Sequence, residues 1–108
     1  MQHNSLSYPT LLQRLTIDSK DDGNKFTICN RVDEIKRLLQ SSNYRLIHEG
    51  PLSLIYARQT DPTEWNTLIS SHIDCVYQNC FMEEAGDCWK GTFDNSATNA
   101  VIIDLMLR

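Results

Sequence analysis

The chain has 108 residues, a formal net charge of −4 at pH 7 and 22% charged residues. This length allows one domain with a modest core, and the acidic balance without a basic run argues against a nucleic-acid surface.

No apolar run approaches the roughly 18 residues that a membrane span needs, so we expect no membrane partner. The amino-terminal residues carry no charged-then-apolar export signal. The four cysteines are therefore expected to be reduced thiols of a cytoplasmic protein.

The first half of the chain predicts two amphipathic helices. Residues 7–17 start with a serine that can cap a helix and a proline in the first turn, and their leucines share one face. Residues 28–41 place apolar side chains at helical spacing and end at a Ser-Ser-Asn sequence. The polar, glycine-bearing residues 18–25 between them indicate a turn.

Short strands are predicted after the second helix. Residues 44–49 and 52–58 flank a Gly-Pro turn signal, which favours a β-hairpin. Residues 66–74 predict a third strand that ends at a polar His-x-Asp sequence. A last helix begins near Asp94 and is apolar on almost all sides. This order predicts a single domain over residues 1–108 of the α/β class, with helices packed on an open mixed sheet of three to four strands.

Two polar motifs are candidates for chemistry. In a strand, His72 and Asp74 project from the same face, and ligand sites in open α/β sheets collect at strand ends. A neutral imidazole is a good zinc ligand, and a nearby carboxylate can orient it. The alternative for this motif is a polar strand end with a solvated His and Asp. Asp94 precedes the last helix, where it is either a helix cap or a rigidly placed metal ligand.

Two further groups have weaker patterns. The first is a candidate structural zinc site formed by His72, Cys75, Cys80 and Cys88. Four residues separate Cys75 from Cys80, and Cys88 has no close partner, so buried or unused thiols are the expected interpretation. The Glu83-Glu84 pair suggests acid–base chemistry, but an exposed acidic turn is the expected interpretation.

Four segments in chain order resemble parts of one known family. LLQRLTIDSKDDGNK is similar to its opening helix and turn, and VDEIKRLLQSSNYRLIHEGPLSLIYAR to its second helix and hairpin. TDPTEWNTLISSHIDCV is similar to the strand with its His-x-Asp motif, and GTFDNSATNAVIIDLML to a helix start with its Asp-[Asn/Asp] motif. The family is the zinc-dependent exopeptidases with paired metals, which include aminopeptidases, carboxypeptidases and deacylases. The resemblance extends from about residue 10 to residue 108.

The resemblance implies a hydrolase of peptides or amino-acid derivatives that uses zinc or another divalent transition metal. By resemblance, His72 is a ligand of one metal and Asp94 bridges both metals. Asp74 supports His72 within the catalytic centre. The family's general-base glutamate and remaining ligands follow this helix, whereas the sequence stops at Arg108, and Thr98 stands where the family usually has glycine. We therefore expect a truncated, aminopeptidase-like chain that is inactive alone.

Two other hypotheses remain open. The first is a non-catalytic interaction or oligomerisation module derived from the peptidase scaffold. Residues 97–107 carry apolar side chains on more than one helical face, and such a helix is normally buried on most sides. We therefore expect a homo-oligomer, most simply a dimer, that buries residues 97–107. The second hypothesis is a small ligand-binding protein unrelated to peptidases.

Overall fold

The computed structural model describes residues 6–21, 25–26, 28–51, 53–58, 67–76 and 80–108. Within these residues the helices are α1 (Tyr8–Gln13), which continues as a π-helical segment (Arg14–Asp18), α2 (Ile28–Leu39) and α3 (Ser96–Leu107). The strands are β1 (Lys20–Asp21), β2 (Lys25–Phe26), β3 (Tyr44–Glu49), β4 (Leu54–Arg58), β5 (Met82–Ala85) and β6 (Cys88–Gly91). The chain is a small α/β domain.

The central apolar cluster is built by the helices. Its buried side chains are Leu11, Leu12, Leu15, Ile35, Leu38, Leu39, Ala100, Ile103 and Leu107. Within each helix these positions recur at three- and four-residue intervals, as amphipathic helices require. Partly buried side chains of the strands and connecting segments, such as Tyr56 and Met82, pack against this cluster. The hairpins therefore lie at the margin of a helical core.

The first helix begins as predicted and is tied to α3. The Ser7 hydroxyl oxygen accepts a hydrogen bond of 3.3 Å from the backbone N–H three residues further on, so Ser7 caps α1. The Tyr8 hydroxyl donates to the carbonyl oxygen of Ala97 at 3.0 Å. Thr16 and Ser96 are both fully buried, and their hydroxyls share a hydrogen bond of 2.6 Å. These contacts fix the position of α3.

The described strands form three antiparallel pairs, β1–β2, β3–β4 and β5–β6. The β3–β4 pair confirms the predicted hairpin, with Tyr44 opposite Arg58 and Glu49 opposite Leu54. The prediction of a single open mixed sheet is wrong for the described residues, because their strands form three separate antiparallel pairs. The prediction of a third strand over residues 66–74 is also wrong for its described part, because residues 67–75 adopt no strand. Alternation of side chains predicts an extended backbone, but a strand also needs a neighbour that accepts its backbone hydrogen bonds.

The β5–β6 hairpin closes immediately before the start of α3. Its turn contains Gly86 with φ 69°, a left-handed conformation that glycine adopts without steric cost. At its base, the backbone N–H of Thr92 donates to the carbonyl oxygen of Phe81 at 3.0 Å. A Cβ atom on Gly91 would lie 2.3 Å from that same oxygen. Glycine at this position therefore permits the close approach of the β6 backbone to Phe81 at the base of the hairpin.

Helix α3 has a buried face and an exposed face. Val101 and Leu105 remain 48% and 58% exposed, respectively. The first helix α1, the π-helical segment and α2 all contact α3, and Val101 and Leu105 remain outside this packing. In the described part of the chain, no helix combines the length and the apolar character needed to cross a bilayer. The buried positions of α3 are Ser96, Asn99, Ala100, Ile103 and Leu107.

Candidate functional site

His72, Asp74 and Asp94 lie together at the surface. The Nε2 atom of His72 is 3.5 Å from Oδ1 of Asp94. The Nδ1 atom of His72 is 3.2 Å from Oδ1 of Asp74 and 3.1 Å from the Asp74 carbonyl oxygen. The side chains of His72, Asp74 and Asp94 are 55%, 67% and 34% exposed. Two separate chain segments thus bring together the three residues that the sequence indicated.

The imidazole of His72 has acceptor atoms on both sides. In the tautomer that protonates Nδ1, this nitrogen donates to the carboxylate and the carbonyl oxygen of Asp74, which can only accept hydrogen bonds. Nε2 then presents a lone pair towards the Asp94 carboxylate. In this tautomer Nε2 and Oδ1 of Asp94 are two acceptors 3.5 Å apart, and a cation or a water molecule between them would bind to both.

The separation of His72 and Asp94 fits a metal ion. Zinc binds imidazole nitrogen and carboxylate oxygen at about 2.0–2.2 Å in tetrahedral geometry, which places two ligand atoms about 3.3–3.6 Å apart. The observed separation of 3.5 Å falls in this range. Asp74 contacts the opposite nitrogen of the ring, where a carboxylate orients a metal-binding histidine. No group of three or more His, Cys, Asp or Glu side chains suited to a metal occurs among the described residues.

Asn95, which immediately precedes α3, and Asn99 of α3 hold the chain segment that carries His72. The side-chain amide of Asn95 donates to the hydroxyl of Ser71 at 2.6 Å and to the carbonyl oxygen of His72 at 3.1 Å. The buried Asn99 donates to the same carbonyl oxygen at 3.0 Å. Asn95, rather than Asp94, occupies the N-cap position of α3. The alternative role of Asp94 as the helix cap is therefore wrong.

Arg31 of α2 lies fully buried beneath the site. Its Nη1 atom donates to the carbonyl oxygen of Ile73 at 2.9 Å and to that of Asp94 at 3.1 Å. Burial lowers the pKa of the guanidinium, while the neighbouring thiols of Cys75 and Cys80 and the Asp94 carboxylate act in the opposite direction. A guanidinium nevertheless remains charged in proteins, so a fixed positive charge underlies the two candidate ligands.

Sequence reasoning missed Arg31 as a site residue. The sequence did contain an indication of its burial. Arg31 lies four residues before Ile35 and seven before Leu38, a spacing that places it on the apolar face of α2. An arginine on the apolar face of a helix needs a buried partner. The backbone carbonyls that fill this role come from residues more than 40 positions away, so their identity requires the fold.

The other candidate groups do not converge. Cys80 is buried, whereas Cys88 is exposed and donates from its thiol to the carbonyl oxygen of Ala85 in its own hairpin at 3.1 Å. No disulfide joins the four cysteines, all of which lie in the described ranges. Glu83 and Glu84 are exposed, as expected, but lie on β5 rather than in a turn. Cys88, Glu83 and Glu84 lie on the β5–β6 hairpin, whereas Cys75 and Cys80 are neighbours of the Arg31 guanidinium.

Comparisons with protein-family models, with curated proteins and with solved structures found no match to this chain. The resemblance of the four sequence segments to the zinc-dependent exopeptidases stays a prediction.

Proposed function

We propose that the chain supplies part of a divalent-metal centre of the zinc-exopeptidase type, with His72 and Asp94 as ligands and Asp74 as the group that orients His72. The observation that carries this proposal is the pair of acceptor atoms, Nε2 and Oδ1, that face each other at 3.5 Å on an accessible surface. The order of the sequence motifs supports the same assignment. The proposed substrates are peptides or amino-acid derivatives.

Each residue has a distinct role in this proposal. Asp74 holds the Nδ1 proton of His72, which leaves the Nε2 lone pair available for a metal. Asp94 contributes a negative charge that favours binding of a cation next to Nε2 of His72. A zinc ion held there would polarise a substrate carbonyl and lower the pKa of a bound water. Since catalytic zinc sites use three protein ligands, peptide hydrolysis requires a further ligand and a general base beyond the groups that the described residues bring together.

Zinc titration of the purified chain tests the ligand assignment. We expect weak binding at one site, and we expect His72→Ala and Asp94→Asn each to abolish it. Asp74→Asn should weaken binding by about 10- to 100-fold, the usual effect of removing a group that orients a metal ligand. His48→Ala is the matched control, because His48 is also an exposed histidine but lies on β3.

Two results would contradict the assignment. If His72→Ala and Asp94→Asn both bind zinc as tightly as the wild type, the metal does not bind at this pair. If binding instead depends on Cys75, Cys80 and Cys88, the structural-zinc alternative replaces the present one. Calorimetry provides the affinities, and the folded state of each variant is checked by circular dichroism.

The exposed face of α3 favours a second candidate function, an oligomerisation module. Val101 and Leu105 lie one turn apart and remain about half exposed, and burial of such side chains against a twofold partner is favourable. Light scattering should show a dimer for the wild type and a monomer for the Val101→Asp, Leu105→Asp double variant. A Gln13→Asp, Gln40→Asp double variant adds the same charge at exposed positions elsewhere and should remain dimeric. A folded wild-type monomer at micromolar concentration would refute this candidate.

A further inference from the structure

We propose that Arg31 is the positioning residue of the site, because its single buried guanidinium holds both chain segments that supply His72 and Asp94. This inference rests on the proposed function, since it concerns how the two candidate ligands of that function are placed. It extends that function by assigning a role to a residue of α2 that has no contact with the metal in the proposal.

One nitrogen of Arg31 reaches both segments. Nη1 donates to the carbonyl oxygen of Ile73 at 2.9 Å and to that of Asp94 at 3.1 Å. Ile73 directly follows His72, and Asp94 is itself the second candidate ligand. A displacement of the guanidinium therefore changes the placement of both ligand backbones, and with it the 3.5 Å separation between Nε2 and Oδ1.

Arg31 is itself held firmly. Its side chain has no exposed surface, and it projects from the face of α2 that carries the core residues Ile35 and Leu38. The guanidinium is planar and donates in fixed directions, so the two carbonyl oxygens are held in a set arrangement. An ammonium group is a point charge on a flexible stem and cannot impose the same arrangement. Arg31 thereby fixes the position of the site relative to the helical core.

The asparagines act on the site from a different direction. Asn95 and Asn99 attach the carbonyl oxygen of His72 to the start of α3. Arg31 adds a contact from α2 to the next residue, Ile73, and to the carbonyl oxygen of Asp94. Attachment from two helices restricts both translation and rotation of the His72 segment, which a contact from one helix alone does not achieve.

Two variants of Arg31 test this role. Arg31→Met keeps an unbranched apolar stem but removes the guanidinium with its donors and charge, and Arg31→Lys keeps a positive charge without the planar guanidinium. We expect both to weaken zinc and cobalt(II) binding by about 10- to 100-fold and to change the visible absorption of bound cobalt. Arg37→Met is the control, since Arg37 lies on the same helix with a largely exposed side chain, and its metal affinity should equal that of the wild type.

Nuclear magnetic resonance of the metal-free protein separates this inference from the proposed function. A nuclear Overhauser contact between the His72 ring and the Asp94 side chain is expected in the wild type and should be lost in Arg31→Met. If the wild type binds no metal but this contact depends on Arg31, the metal function is refuted and the positioning role is supported. A folded Arg31→Met variant that keeps the contact overturns the positioning role.

A measurement on the wild type covers the case in which Arg31→Met does not fold. The guanidinium protons of Arg31 should exchange slowly with water and show contacts to the backbone protons of Ile73 and Asp94. They should also shift when zinc is added. Exchange as fast as that of the exposed Arg37 guanidinium would overturn the inference.

Discussion

Removal of either hydroxyl of the buried Thr16–Ser96 pair should destabilise the domain. Both residues are fully buried, and their hydroxyl oxygens are 2.6 Å apart. Thr16→Val keeps the shape of the side chain but leaves the Ser96 hydroxyl without its partner. A buried polar group that loses its partner costs about 1–3 kcal/mol. We therefore expect the free energy of unfolding to fall by this amount.

The same loss is visible as a change in melting temperature. For a domain of this size, each kcal/mol corresponds to roughly 4–8 °C. Ser96→Ala should destabilise for the reciprocal reason, because it leaves the Thr16 hydroxyl without its partner. The double variant Thr16→Val, Ser96→Ala removes both polar groups and should lose clearly less stability than the sum of the two single changes.

Urea and thermal unfolding followed by circular dichroism provide the double-mutant cycle. Thr98→Val is the control, because Thr98 is an exposed threonine on the same helix, and its effect should stay within about 0.5 kcal/mol. If the single effects of Thr16→Val and Ser96→Ala add within about 0.3–0.5 kcal/mol, the two hydroxyls do not interact. That result would refute the hydrogen bond between the π-helical segment and the start of α3.

Two further predictions concern activity and the cysteines. With added zinc, cobalt or manganese, the chain is expected to show no turnover of chromogenic amino-acid amides. The described residues bring only two candidate ligands together, whereas catalytic zinc uses three. Turnover that follows the purified protein and disappears in His72→Ala would contradict this. Thiol titration in denaturant without reductant should detect four thiols, since no disulfide joins the cysteines, and a stable count of zero would reverse this expectation.

The elements that the sequence predicted well depend on local patterns. The bounds of α2 and of the β3–β4 hairpin follow from helical spacing and from a turn between alternating segments. Residues 67–75 show the limit of such patterns. Their side chains alternate, but their backbone is held by Arg31, Asn95 and Asn99 rather than by a neighbouring strand. The hydrogen-bond partners of a backbone segment depend on the tertiary fold. The local alternation of polar and apolar residues does not predict them.

The candidate site was predicted in part. His72, Asp74 and Asp94 were found because their residue types and motif order indicate metal chemistry, and the fold brings them together. Arg31 was missed because arginine is mostly an exposed residue, so its place on a helix suggests solvent. Its burial arises from two backbone carbonyls contributed by distant segments. Supporting residues of this kind have no short motif.

The supports of the site bond to backbone oxygens, which has a consequence for how its chemistry can change. Arg31 and the two asparagines donate to the carbonyl oxygens of His72, Ile73 and Asp94. A main-chain carbonyl is present whatever residue occupies a position. The side chains at positions 72 and 94 can therefore be exchanged without deleting these bonds. Selection or design can alter what this surface recognises while the framework that presents it persists.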